Sequence, residues 1–143
     1  MSSAETLRMP EVGATSSLAK TISESDVYLF AGITMDLAPQ HVNEAYMKDH
    51  AFGRRVAHGV LVLGFASAVS AQLSAEQGIT VVSYGYDRVR FVAPVFFGDT
   101  VTATATVARV ESPRTYLDVV VTNQDGTVCA IAAHVLYHPG DVG

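Results

Sequence analysis

The sequence predicts an α+β domain in which a strongly curved antiparallel sheet wraps one long buried helix. Three observations carry that expectation. Val60–Leu73 runs for 14 residues without a charge and is apolar around its whole circumference. A helix with no polar face has to be covered by protein on every side. Nearly everything after Val81 reads as strand, with β-branched and aromatic residues in short runs bounded by turn residues. A chain of 143 residues has the length of a single domain, so the helix and the strands must cover one another.

Taken in order, residues 1–17 are polar and Ser-rich and read as a loose arm, with the domain proper spanning 18–143. Leu18–Ile22 alternates apolar and polar like a short strand. Ser23 with Asp26 three residues on forms a capping pattern. It opens a helix through Val27, Phe30 and Ala31 that Gly32 is expected to end. Ile33–Val42 reads as a loop, and Asn43 can cap a short helix over Glu44–Lys48. A second loop carries Phe52, Gly53, Arg54 and Arg55 before the apolar helix begins.

Val81–Tyr86 and Arg88–Ala93 are then expected as strands, with Pro94 marking an edge or a bulge. Gly98-Asp99 is a turn, Thr100–Val107 a strand, and Ser112-Pro113-Arg114 another turn. Tyr116–Thr122 and Val128–Tyr137 pair across Asp125-Gly126. No internal repeat is visible. One helix followed by such a sheet is the hot-dog arrangement, a single α+β hot-dog fold.

Composition narrows the function. The net charge of -5 and the lack of any Lys/Arg run speak against nucleic acid, which needs a basic face. The single cysteine, Cys129, excludes an internal disulfide and reads as a buried inert thiol. The first 20 residues lack the basic start and apolar stretch of a signal peptide. Val60–Leu73 is shorter than a bilayer span of ~20 residues. The expectation is a cytoplasmic protein that does not act at a membrane.

Three pieces carry chemistry: Asp36-Leu37-Ala38-Pro39-Gln40-His41, then His58-Gly59 opening the apolar helix, then Pro94-Val95-Phe96-Phe97-Gly98-Asp99. A carboxylate and an imidazole that both reach one water can perform general acid–base chemistry on it. A helix start with a glycine offers unobstructed N–H groups and a favourable dipole to a developing oxyanion. Those parts suffice for adding water across the double bond of a conjugated thioester.

In these motifs the chain resembles the R-specific enoyl-CoA hydratases of the MaoC-like dehydratase family. The family signature is Asp-x-Asn-Pro-x-His, a His-Gly at the start of the central helix, and a Pro-Val-Phe-x-Gly-Asp stretch. The resemblance runs from about Leu18 to Tyr137. It implies reversible hydration of a trans-2-enoyl thioester to the R-3-hydroxyacyl thioester, a hydro-lyase reaction. Asp36 would be the base on water. His41 would orient that water and donate a proton. The Gly59 N–H would bind the thioester carbonyl, and Ser67, Pro39 and His58 would line the substrate pocket. No metal or other cofactor is implied, coenzyme A entering only as part of the substrate. Partners would be an acyl-CoA or acyl-carrier thioester and a second copy of the chain, giving a homodimer or a higher even oligomer. Ala38 departs from the signature Asn and removes a hydrogen-bonding side chain from the loop.

Two rivals remain: a hot-dog acyl-CoA thioesterase and a non-catalytic acyl-thioester binder. Val60–Leu73 contains no carboxylate, with Glu76 beyond it, which counts against the thioesterase. The alternative for Gly59 is close helix–sheet packing, and for Ser67 a core hydroxyl. His50, His134 and His138 read as structural or surface residues. Arg54, Arg55, Arg88 and Arg90 read as solvated surface in preference to coenzyme A contacts. Asp36, His41 and His58 show no recognisable metal-ligand spacing.

Overall fold

The computed structural model describes residues 7–140. Nine elements follow one another: β1 (Thr15–Thr21), α1 (Glu24–Thr34), α2 (Pro39–Val42), α3 (Glu44–Lys48), α4 (Gly59–Glu76), β2 (Val82–Phe91), β3 (Thr100–Glu111), β4 (Arg114–Thr122) and β5 (Val128–Tyr137). The strands form one antiparallel sheet in the order β1-β3-β4-β5-β2, folded over α4. This is the hot-dog architecture.

The core forms where alternate strand residues meet one stripe of α4. Val101, Ala103, Ala105 and Val107 of β3 and Leu117, Val119 and Val121 of β4 are buried, as period-two alternation requires. They face Val62, Ala66, Val69 and Leu73, which recur on one side of the helix. Truncating Leu73 or Leu117, both at most 1% exposed, is expected to cost roughly 2–5 kcal/mol.

Several expectations are corrected. The arm expected through residue 17 ends earlier, because Thr15–Ser17 already pair with Thr104–Thr106 of β3. Its first six residues lie outside the described part. Gly32 does not stop α1. The helix runs on to Thr34 and ends at Met35, which adopts a left-handed φ of 69°, and Thr34 Oγ1 donates back to the Phe30 carbonyl. The Ser23 capping box is present as expected. The stretch expected as loop to Val42 closes with α2, whose first residue is Pro39, where proline's missing N–H costs nothing.

The two strands expected on either side of Asp87 are one strand, β2. It is bulged between Asp87 and Arg90, with Arg88 at φ 53°. A bulge breaks the alternation that sequence reading relies on.

The largest correction concerns α4. Its ends are Gly59 and Glu76, longer than the apolar run. The helix is not covered on every side. Val60 is 61% exposed, and Gly64, Ser67, Ala68 and Ala71 continue the same exposed stripe. Five strands of one chain wrap only part of the circumference. The free edge strand β2 adds exposed Val82 and Tyr84, with Phe91 and Val92 at its end.

Candidate active site

The site forms where α2 and the loop before it meet the N-terminus of α4. His41, in α2, is 7% exposed. Its Nδ1 lies 2.7 Å from the Val56 carbonyl oxygen. A carbonyl can only accept, so Nδ1 carries the proton and Nε2 of the neutral ring keeps a free lone pair. Burial depresses the His41 pKa. The Val56 bond and the Asp36 carboxylate oppose that shift, and His58 adds to it. The ring is therefore neutral near pH 7, the state that can accept a hydrogen bond or a proton.

His58 caps α4 and is 2% exposed. Its ring stacks on His41 with centroids 3.7 Å apart and planes 23° from parallel, and Phe30 of α1 packs against it at 4.8 Å. Asp36 is exposed, three residues before Pro39. One ligating atom from each of Asp36, His41 and His58 lies within 4.8 Å of the others. The fold thus brings together two groups, 36–41 and 58–59, that are separate in the sequence.

That cluster could be mistaken for a metal centre. Stacking argues otherwise. Lone pairs in two nearly parallel rings 3.7 Å apart cannot both point at one ion at the ~2.0–2.1 Å of a metal–imidazole bond.

Gly59 is the first residue of α4, where N–H groups have no intrahelical acceptor. A Cβ built there would lie 2.8 Å from the Phe91 ring, so close approach of the β2 end and an open helix start both require glycine. Beside it lies an apolar cavity of about 390 Å³, bordered by Gly59, Val62, Phe91, Pro94, Val95 and Cys129. Val56, whose carbonyl holds His41, lines the same cavity. Burial raises the Cys129 thiol pKa, which keeps it protonated and unreactive.

Other expected residues fall in different places. Ser67 lies two turns along α4 on its exposed stripe, not in the core. Arg55 is not solvated surface: its side chain is 13% exposed and lies beside Glu24 and Glu44. It also donates to the Tyr28 hydroxyl and sits over Phe97 at 4.7 Å, tying α1, α3 and the Pro94–Asp99 segment together. Arg54 lies 3.8 Å over Phe96. His134 is fully buried between Ser70 and Ser83, and His138 is buried against Thr115. Both therefore have the structural character the sequence allowed. Nothing in the sequence pattern singles out the Arg55 network, which depends on three segments meeting.

Fold and site define a hot-dog protein with a carboxylate and a neutral imidazole beside the exposed start of its central helix. The MaoC-like domain family matches residues 8–128. A curated (R)-specific enoyl-CoA hydratase of Rhodospirillum rubrum is 44% identical over 124 residues, 87% of this chain and 80% of that protein. A second, from Aeromonas caviae, is 31% identical over 90% of this chain and 96% of its own. The solved structure of an (R)-hydratase from A. caviae superposes with a TM-score of 0.82 at 29% identity, covering 95% of this chain and all of that one. The chain belongs to the MaoC-like family, and it is a hydro-lyase.

Proposed function

We propose that this enzyme hydrates a trans-2-enoyl-CoA to the R-3-hydroxyacyl-CoA, and catalyses the reverse dehydration, without a metal or other cofactor. The observation that carries this reading is the meeting of Asp36 and neutral, buried His41 at the N-terminus of α4. Its relatives bear the names of such hydratases.

In this reading one water lies between the Asp36 carboxylate and His41 Nε2. Its proton passes to that pair as its oxygen bonds C3. The π electrons move toward the thioester oxygen, which the Gly59 N–H stabilises. The proton held by the pair then goes to C2 by way of His41, so the pair ends as it began. Because Nδ1 is committed to Val56, His41 first accepts at Nε2 and donates from the same atom afterwards. Pro39 starts α2 and so sets the approach of His41. The acyl chain lies against α4, toward the stripe that carries Ser67.

We further propose a cytoplasmic homodimer, or a higher even oligomer, built by pairing β2 edges. Such pairing satisfies unpaired strand groups and covers the apolar stripe of α4 that one chain leaves exposed. The functional test is turnover of crotonyl-CoA, followed at the enoyl chromophore and as free thiol. Loss of chromophore without thiol, with an R product, is expected. Release of thiol identifies a thioesterase instead, and no change in either identifies a binding protein. Glu76 does not favour the thioesterase: it sits at the far end of α4, hydrogen-bonded to Ser16.

A further inference from the structure

We propose that His58 is a positioning residue for this reaction: one imidazole anchors the backbone of Asp36 and braces the ring of His41. The proposal rests on the reading of Asp36 and His41 given above.

His58 occupies the N-cap of α4, yet its side chain makes no capping bond. Instead Nε2 reaches across 22 residues to the Asp36 carbonyl oxygen at 2.9 Å. The other ring nitrogen, Nδ1, is buried and has no partner among the described residues. Whether it carries a lone pair or an N–H, a buried unpaired polar atom weakens the fold. An apolar side chain would fill this place between Phe30 and His41 without that penalty. Packing alone therefore does not account for a histidine here, but the bond to Asp36 does.

The loop needs such an anchor. Met35 enters it in a left-handed conformation. The bonds from the Asp36 amide to Thr34 Oγ1 and from the Ala38 amide to Asp36 Oδ1 are long, 3.3 and 3.4 Å. Among the described residues, His58 is the side chain from another element that bonds Met35–Ala38. Ala38 stands where the family signature has Asn and supplies no further bond. On the other side, the His58 ring lies against His41 at 3.7 Å. His41 is thus fixed by Val56 at its edge and by His58 at its face. A displacement of the His58 ring would move both groups that must share one water, and misplacement by about 1 Å can cost a hundredfold in rate.

The test uses two near-isosteric replacements in the full chain. His58→Gln keeps an N–H donor at the reach of Nε2, and His58→Met does not. Both lose the ring. Hydration of crotonyl-CoA is measured for each, alone and combined with Asp36→Asn. Expected is a kcat for His58→Met at least tenfold below that of His58→Gln, with KM values within about threefold of each other. His58→Met is also expected to melt within a few degrees of His58→Gln, since it buries no polar side-chain atom of its own although the Asp36 carbonyl loses its donor. In the Asp36→Asn background the Met and Gln replacements are expected to differ less than twofold, because the carboxylate that the donor positions is gone and both have lost the brace on His41.

Equal kcat values for the two variants, or a difference between them that persists undiminished beside Asp36→Asn, would overturn the proposal. If His58→Met does not fold, His58→Phe serves as the donor-free variant and the same comparison applies. A wild-type level of turnover in Asp36→Asn removes the catalytic reading itself. An inactive Asp36→Asn beside a fully active His58→Met removes only the role of His58.

Discussion

Lowering the pH should destabilise this protein measurably through one residue that takes no part in the proposed chemistry. His134 is 1% exposed. Its ring stacks on Tyr86 at 4.0 Å and 8° from parallel. Its Nδ1 and Nε2 lie 2.7 and 2.8 Å from the Ser70 and Ser83 hydroxyls. A neutral ring donates to one and accepts from the other, whereas an imidazolium would place an uncompensated charge inside the sheet. Burial accordingly lowers its pKa from 6.5 to about 4.

The sign follows from proton counts. Between the two values the unfolded chain binds more protons than the folded one, so stability falls as pH falls through this window. The His134 contribution is intact above about pH 7. By pH 4.5 roughly 2.5 kcal/mol of it is lost, from the two pKa values and about 1.4 kcal/mol per decade. That loss is worth a fall in melting temperature of about 10 °C. His41 and His138 are shifted the same way and add to the total, so a variant is needed to isolate the term. His134→Asn loses stability at neutral pH but has no proton to gain. Urea melts of both proteins at about pH 7.5 and about pH 4.5, at one protein concentration, give the comparison. The wild type should lose about 2.5 kcal/mol more than the variant between the two conditions. Equal losses would refute the reasoning.

Three further outcomes are expected. Asp36→Asn and His41→Ala should each lower crotonyl-CoA turnover by roughly a hundredfold or more, Asp36→Asn with little change in melting temperature and His41→Ala with a clear fall, since it deletes a buried ring and leaves the Val56 carbonyl without its donor; near-normal turnover in either removes that residue from the mechanism. Gly59→Val should abolish turnover in protein that is still folded by circular dichroism, because its Cβ collides with Phe91 and crowds the helix start. Full activity in that variant would place the carbonyl site elsewhere. Light scattering at micromolar concentration should give twice the 15.2 kDa chain mass or an even multiple. A 15.2 kDa species with full activity would defeat the dimer.

Local chemistry made much of this protein legible in its sequence. The Ser23 capping box, the Asn43 cap, the central apolar helix and the β5 boundaries follow from side-chain spacing and need no distant partner. The motifs around Asp36, His41 and Gly59 also mark the region of the site, because those residue types serve few purposes in that order. Tertiary structure decided what depends on contact across the chain. Gly32 reads locally as a stop, but the helix continues to a left-handed Met35. The β2 bulge at Arg88 interrupts an alternation that then resumes, so one strand reads as two. The apolar circumference of α4 predicts cover on every side, yet the five strands reach only part of it. The pairing of His58 with the Asp36 carbonyl, the stacking of His58 on His41 and the Arg55 network, which reaches from Arg55 to Glu24 and to Phe97, join segments far apart in the chain. No periodicity records such contacts, since they arise only when the chain closes on itself and buried polar groups must find their partners.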